Sequence, residues 1–317
     1  MILCIGEILA DLIGTERNGI VAYERHAGGA PFNVACDIKA LGGKCGFFGR
    51  VGKDAVGGFL RDFARAQKFE FLDIAEDEAR NTTLAFVDVD REGERRFSFY
   101  RRNTADYALE FGERLVGAVQ NAHIVHIGSL MLSERRGRAF AQRAMDEARK
   151  SGALVSFDVN LRKDIFPSDD AAKRAYRAAV RSADIVKMSA DELEFFTGTD
   201  DIQKGASRAV PDGRLLFVTY GGRGSAAAYR GAFFSAPAMR VDAVDTTGAG
   251  DAFFAGALFL LDSVLRAGRS TVSGEEMRRI LTFANACGGL AAAKRGAIGC
   301  LPSYEAVNAF VENGGKR

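Results

Sequence analysis

His123-Ile-Val-His-Ile-Gly128, then the helical run Glu134–Lys150, then Leu154-Val-Ser-Phe-Asp158 decide the architecture of this chain. Two short apolar runs flank a stretch whose apolar residues recur at helical spacing, and Gly152 stands where that helix would end. Strand, helix and strand in this order form a βαβ unit, because the helix carries the chain back to the edge from which the first strand started.

The same rhythm extends in both directions. Strand-like runs at Ile2–Ile5, Cys45–Gly49, Asp184–Lys187 and Leu215–Thr219 alternate with helical patterns at Phe32–Leu41, Ala55–Gln67 and Ala171–Ser182. Two longer helical patterns, Ala249–Arg266 and Glu275–Lys294, follow. Such alternation predicts a mainly parallel sheet with helices on both faces. Thr82–Arg101, TTLAFVDVDREGERRFSFYR, departs from it. Leu84, Phe86, Phe97 and Phe99 alternate with polar or small residues around Asp90-Arg-Glu-Gly93, the pattern of a β-hairpin. A second hairpin is expected near Leu12–His26. Two excursions from an α/β core predict a small sheet projecting from one edge, either a lid over an active site or a surface for a second copy. The chain reads as one domain over residues 1–317, with lid inserts at about 12–28 and 82–103.

Composition argues against several function classes. Lys+Arg 43 against Asp+Glu 41 leaves a formal net charge of +2, and without basic runs this gives no reason to expect nucleic acid or membrane as a partner. The apolar start MILCIGEILADLIG lacks a basic leader region and is interrupted by Glu7 and Asp11, so it reads as a buried strand and a functional turn in a cytoplasmic protein. Cys4, Cys36, Cys45, Cys287 and Cys300 are scattered and form no CxxC pair, the usage of buried reduced thiols. His123 and His126 lack metalloenzyme spacing, and Asn81-Thr82-Thr83 fits a glycosylation acceptor without a secretory signal to give it meaning.

Two segments carry chemistry. In Asp245-Thr-Thr-Gly-Ala-Gly-Asp251-Ala-Phe-Phe-Ala-Gly-Ala-Leu258, the small residues Gly248, Ala249 and Gly250 immediately precede a helical run. A helix N-terminus offers unpaired N–H groups and partial positive charge, and small residues let an anion approach. Asp251 in that first turn sits where an oxygen nucleophile beside a transferring phosphoryl group would need a base. It can also be a plain helix cap. In Gly28-Gly29-Ala30-Pro31-Phe32-Asn33-Val34-Ala35, Pro31 fits a helix start and Asn33 can aim its amide at a polar ligand. No G-x-G-x-x-G follows the first strand, and Gly52-Lys53-Asp54 is not a Walker loop.

Together these segments, Gly28 through Gly52 and Asp245 through Leu258, resemble the two signatures of the ribokinase-type (PfkB) carbohydrate kinases, in the family's order and separation. GEILAD, GGAPFNVA, TTLAFVDVD, FSFYRRNTAD, SFDVNLR, KMSADELEFFTG and NACGGLAAAKRGAIG look most like fructokinases, and the 2-keto-3-deoxygluconate kinases share much of this text. The resemblance implies a three-layer αβα ribokinase-like core with a projecting lid sheet. It implies transfer of the γ-phosphate of Mg-ATP to a sugar hydroxyl, D-fructose being the leading acceptor and 2-keto-3-deoxygluconate the alternative. A catalytically silent sugar- or nucleotide-binding regulator is the rival from another class.

Roles follow position by position from the resemblance. Asp251 is the catalytic base, Gly248, Ala249 and Gly250 the anion hole, and Arg162 of Asp158-Val-Asn160-Leu-Arg162 a contact near the transferring phosphate or the acceptor. Asp11, Gly28, Gly29 and Asn33, with Phe99 and Arg101 from the hairpin, are substrate contacts. Ser189 and Glu192 match the family's Asn-x-x-Glu motif with Ser for Asn, Glu192 holding magnesium through water. Thr219, Gly221, Gly222, Gly224 and Asn285 match the nucleotide site. Asp245, Thr247, Ala291, Lys294 and Gly296 match a monovalent-cation (potassium) site, with Cys300 where ribokinases often have Ser. The lid sheet could pair two copies into a homodimer.

Overall fold

Ile2–Ile5 is a strand buried on both sides (β1), and its residues divide by period two between two hydrophobic cores. Ile2 and Cys4 join a cluster with Phe32, Phe47, Phe217 and Phe254, whereas Leu3 and Ile5 join another with Met131, Phe157 and Tyr176. A sheet with a core on each face needs helices on each face, which gives three layers.

The structure is a computed structural model and describes residues 1–89, 95–211, 213–269 and 271–315. Within them the remaining strands are β2 (Leu9–Arg17), β3 (Ile20–Gly28), β4 (Cys45–Gly52), β5 (Phe71–Asp77), β6 (Leu84–Val89), β7 (Arg95–Tyr100), β8 (Ile124–Ile127), β9 (Leu154–Asp158), β10 (Ile185–Ser189), β11 (Leu215–Thr219), β12 (Ser225–Tyr229) and β13 (Ala232–Ala236). The helices are α1 (Ala30–Ala40), α2 (Ala55–Ala66), α3 (Glu113–Gln120), α4 (Arg135–Lys150), α5 (Asp169–Ser182), α6 (Ala190–Thr197), α7 (Ile202–Ala209), α8 (Ala249–Arg266), α9 (Gly274–Ala292) and α10 (Tyr304–Glu312). The large sheet runs β13-β12-β11-β10-β9-β8-β1-β4-β5, parallel except for the edge hairpin β12–β13. Helices α1, α2, α8, α9 and α10 fill one core and α3 to α7 the other.

The expected hairpins are present and join into one small sheet, β3-β2-β6-β7. Each hairpin is antiparallel, but the inner strands β2 and β6 pair in parallel, Asp11 opposite Ala85. The reason lies in the large sheet. β1 and β5 run the same way, so the chain leaves both at the same edge and enters β2 and β6 from the same side. The Asp90–Gly93 turn expected in the second hairpin lies outside the described residues.

The edge hairpin β12–β13 is a third antiparallel excursion that the sequence pattern hid. Its strands are alanine-rich, a composition depleted in sheets, and its turn places Arg230 and Gly231 at φ 51° and 77°. β5 was hidden by acidic residues, and α3, α6, α7 and α10 by their shortness. The helix beginning at Ala171 in the pattern starts two residues earlier, because Ser168 caps it by accepting from Ala171 N at 3.2 Å.

Asp54 ties the two sheets together. Its Oδ1 accepts from Val56 N and Gly57 N at 3.0 and 2.7 Å, capping α2, while Oδ2 accepts from Thr82 N at 2.8 Å just before β6. Burial pushes the Asp54 carboxyl up, but these bonds more than offset it and hold the pKa below the usual value. We predict that Asp54→Ala lowers unfolding free energy by about 1–2 kcal/mol at neutral pH, measured by urea denaturation. Because the folded-state pKa is depressed, that difference should shrink as pH falls through it. A difference that stays constant into acid would refute the assignment.

Candidate active site

Parallel strands direct their C-terminal ends to one edge, where open α/β sheets bind ligands. Here that edge receives Glu7 after β1, Gly128 after β8, Asp158 at the end of β9, Ser189 at the end of β10 and Thr219 at the end of β11. The N-termini of α1 and α8 meet there too. Asn33 Nδ2 donates to Asp251 Oδ2 at 2.8 Å, joining residues 218 positions apart. Asp251 is 8% exposed, and burial pushes its carboxyl up while the Asn33 bond and the charges of Lys187 and Arg162 pull it down, with burial prevailing.

Local backbone demands explain the glycines on either side. Gly248 caps α8 at φ 76°, and a β-carbon there would sit 2.8 Å from Ala297 Cα. Gly29 opens α1 at φ 112°, where a β-carbon would sit 2.5 Å from the Glu7 carbonyl oxygen. At Gly28 a β-carbon would sit 2.1 Å from Asp11 Oδ2, so the absent side chain is the space the Asp11 carboxylate occupies. Ala249 N–H already donates to Thr246 O at 3.2 Å, which leaves the Gly250 and Asp251 amides of the first turn to meet an anion.

Lys187 is the functional residue that the sequence pattern did not reveal. A β-carbon on Gly250 would lie 3.3 Å from its Nζ, so an ammonium packs against the positive end of α8. Two positive features held together call for an anion between them. Lys187 is 6% exposed and its Nζ donates to Asp158 Oδ2 at 2.7 Å; Asp158 Oδ1 is buried without a partner. Burial pulls the Lys187 ammonium down, but Asp158, Glu192 and Asp251 together hold its pKa above the usual lysine value. The available signal was a charge inside the apolar strand run Ile185-Val-Lys-Met188. His126 sits behind this pair, bonded to Ser156 Oγ at 3.0 Å, and burial and Lys187 push it down to about 3.

The other expected residues fall into three groups. Ser189 and Glu192 form a capping box at the start of α6, with Glu192 Oε2 accepting from Ser189 N at 2.7 Å and Oε1 from Leu161 N at 2.5 Å. Arg162, next to Leu161, is half-buried and its charge acts on Asp251. Thr219, Gly221, Gly222, Gly224, Ala249, Gly250 and Asn285 line one cleft of about 600 Å³. Asn285 Nδ2 donates to the carbonyls of Ala236 and Pro237 at 3.0 Å, fixing that wall.

The loop around Asp245 is assembled but already bonded. Asp245 Oδ1 accepts from Thr247 N at 2.9 Å and Oδ2 from Gly296 N at 2.8 Å, while Lys294 N donates to Ala291 O at 3.1 Å. The Cys300 thiol donates to Gly296 O at 3.0 Å, so a cation there would compete for that carbonyl.

At the opposite end stand the acceptor candidates. Phe99 is partly buried against the cluster of Leu9, Ala85 and Leu130. Asn33 Oδ1 and both oxygens of Glu7 are buried without a protein partner. Burial, with Asp106 and Asp251 adding to it, pushes the Glu7 carboxyl up to about 7. Arg101 does not stand free: it is paired with Asp106.

Comparison with known proteins gives this geometry a family. The model of the pfkB family carbohydrate kinases matches residues 1–304. A curated relative, probable fructokinase-2 of Arabidopsis thaliana, is 37% identical over 310 residues, covering 96% of this chain and 93% of the relative. The crystal structure of a fructokinase from Xylella fastidiosa with bound ATP superimposes with a TM-score of 0.84 at 29% identity, covering 99% of each chain. A double mutant of the fructokinase from Vibrio cholerae O395, with fructose, ADP and a potassium ion bound, gives 0.84 at 31% identity, covering 98% of this chain and 97% of that one.

Breaking the buried pair tests its importance to the fold. Lys187→Met leaves Asp158 without its counter-charge and should cost about 3–5 kcal/mol of unfolding free energy. Asp158→Asn added to it should recover part of that loss. Urea denaturation of the single and double variants decides, and equal stability of wild type and Lys187→Met would overturn the argument.

Proposed function

Because the chain belongs to the pfkB family of carbohydrate kinases, we propose that it transfers the γ-phosphoryl group of ATP to D-fructose, giving fructose 6-phosphate, with Asp251 as general base. The observation that carries this reading is the buried Asp251 carboxylate held by Asn33 beside the first turn of α8 and the Lys187 ammonium. A base, a positive helix end and a fixed cation within one turn of helix suit phosphoryl transfer, where positioning and electrostatic stabilisation supply most of the rate enhancement.

Each residue then has a task. Asn33 engages Asp251 Oδ2, so Oδ1 is the oxygen left to take the acceptor proton. Gly248, Ala249 and Gly250 present the helix end to the γ-phosphoryl group, with Lys187 and Arg162 countering its charge. ATP occupies the cleft lined by Thr219, Gly221, Gly222, Gly224 and Asn285. Glu192, whose oxygens retain lone pairs beyond their main-chain bonds, would hold a magnesium ion through water; the ion supplies charge neutralisation at the phosphates. Asp245, Thr247, Ala291, Lys294 and Gly296 would hold potassium, with Cys300 giving up the Gly296 carbonyl. Asp11, Gly28, Gly29, Asn33 and Phe99 receive the sugar under the small sheet, which acts as a lid that excludes water.

Two further features belong to this reading. The small sheet exposes Ile20, Val21, Tyr23 and Tyr100 at 70%, 54%, 44% and 63%, around a Tyr23–Phe86–Tyr100 ring cluster. An apolar face of this kind suits pairing of two lid sheets in a homodimer. No helix among the described residues is long and apolar enough to cross a membrane, and the five cysteines are buried free thiols, which suits a reducing cytoplasm.

The test is sugar-dependent ADP release with Mg-ATP and D-fructose. Asp251→Asn should reduce kcat by at least ~10²-fold with the protein still folded. Because burial raises the Asp251 pKa, wild-type kcat should fall as pH drops through that raised value. Turnover of another sugar but not fructose would keep the mechanism and discard the acceptor. ATP binding without ADP release on any sugar would leave a silent binder.

A further inference from the structure

Arg101 lies at the acceptor end of the site, and three of its five N–H donors are engaged by protein groups. Nε and Nη2 donate to Asp106 Oδ2 at 2.9 and 2.5 Å, and Nη1 donates to Ser133 Oγ at 2.5 Å. The Arg101 side chain is 6% exposed and that of Asp106 is 1% exposed. Asp106 is itself held in place, because Thr83 Oγ1 and Thr104 Oγ1 each donate to its Oδ1 at 2.7 Å. This is a buried charge pair braced from both sides, not a loose surface bridge.

Its location ties it to the acceptor. The carbonyl of Thr83, whose hydroxyl holds Asp106, accepts from Ala10 N at 3.2 Å, and Ala10 directly precedes Asp11. Ala85, two residues beyond Thr83, is the register partner of Asp11 on one side and of Phe99 on the other. Glu7 feels both members of the pair as well as Asp251. The acceptor end therefore gathers the carboxyl groups of Glu7, Asp11, Asp106 and Asp251, while the guanidinium among them is already neutralised.

We propose that Asp106 is a specificity-determining residue: by holding Arg101 in a closed pair it withholds that guanidinium from substrate carboxylates and commits the site to neutral sugars. The inference rests on the sugar-kinase reading given above. A free Arg101 would offer a planar fork to a sugar acid. With Asp106 in place, an anionic acceptor gains no such fork and meets fixed negative charge instead. At an effective dielectric of ~20, one unit charge about 4 Å away alters affinity by up to about three orders of magnitude. Neutral polyols are indifferent to that charge and use the carboxylates as hydrogen-bond acceptors.

The experiment compares D-fructose with 2-keto-3-deoxygluconate, a sugar acid, in wild type and Asp106→Asn. The amide keeps an oxygen for Thr83 and Thr104 and removes only the charge; Asp106→Ser removes it by a second route should the amide variant not fold. The kcat/KM ratio of acid to fructose should rise at least about tenfold. The inhibition constant of the acid against fructose should fall by a similar factor. Adding Arg101→Gln to Asp106→Asn should abolish the gain. A folded, charge-free variant whose ratio and inhibition constant match wild type would overturn the role of Asp106. Absence of sugar-dependent ADP release in wild type would instead overturn the kinase reading on which it rests.

Discussion

The bond between Asn33 and Asp251 is the point on which the site turns, because it locks the N-termini of two helices from opposite ends of the chain at one edge of the sheet. Helix α1 must start where it does for Asn33 to reach, and it starts there because Gly29 adopts φ 112° against the Glu7 carbonyl. Helix α8 must start two residues before Asp251, and Gly248 caps it there against Ala297. Packing of α1 on α8 supplies the rigid frame: most of the α8 side chains from Asp251 to Asp262 are buried. A carboxylate so enclosed is costly unless something holds it, and here Asn33 and the positive end of α8 do so together.

From that bond the site divides by charge. Toward β10 and β11 lie Lys187, Arg162 and the amides of α8, all suited to phosphate oxygens. Toward the small sheet lie Asp11, Glu7 and the closed Arg101–Asp106 pair, suited to hydroxyl groups. Asp251 stands on the boundary, the place that the proposed role of general base requires. The parallel sheet gathers the first half because its strands end at the same edge, while the small sheet contributes Asp11 and leads into Arg101 in the second.

The sequence revealed the repeating units better than it revealed their joining. Alternating runs such as His123–Asp158 exposed the parallel core, since buried strands and amphipathic helices have different periods. Asp251 and Asn33 were readable because each follows a glycine turn that opens a helix. Lys187 was not, because one charge in an apolar strand says nothing about which of many distant groups it meets; only Asp158, on the neighbouring strand, and Gly250, on α8, give it meaning. The pairing of Arg101 with Asp106 was not readable either, since it depends on Asp106 coming back through a short helical turn. The parallel pairing of β2 with β6 was likewise invisible, because it follows from where β5 ends, and β5 itself was hidden by acidic residues.

The polar atoms left unpaired inside the molecule point the same way. Both oxygens of Glu7, Asn33 Oδ1 and Asp158 Oδ1 are buried without partners at this edge of the sheet. Each such atom costs about 1–3 kcal/mol when it stays unsatisfied, more than a marginally stable domain would sustain without a reason. The chain can satisfy a buried carboxylate where it needs to: Asp106 takes bonds from Thr83, Thr104 and Arg101. Other unpaired atoms, such as Asp37 Oδ2, Tyr176 Oη and Ser225 Oγ, lie outside this group, but on the proposed reading these four stand where substrate hydroxyl and phosphate groups enter, and those groups carry the donors and acceptors that are missing.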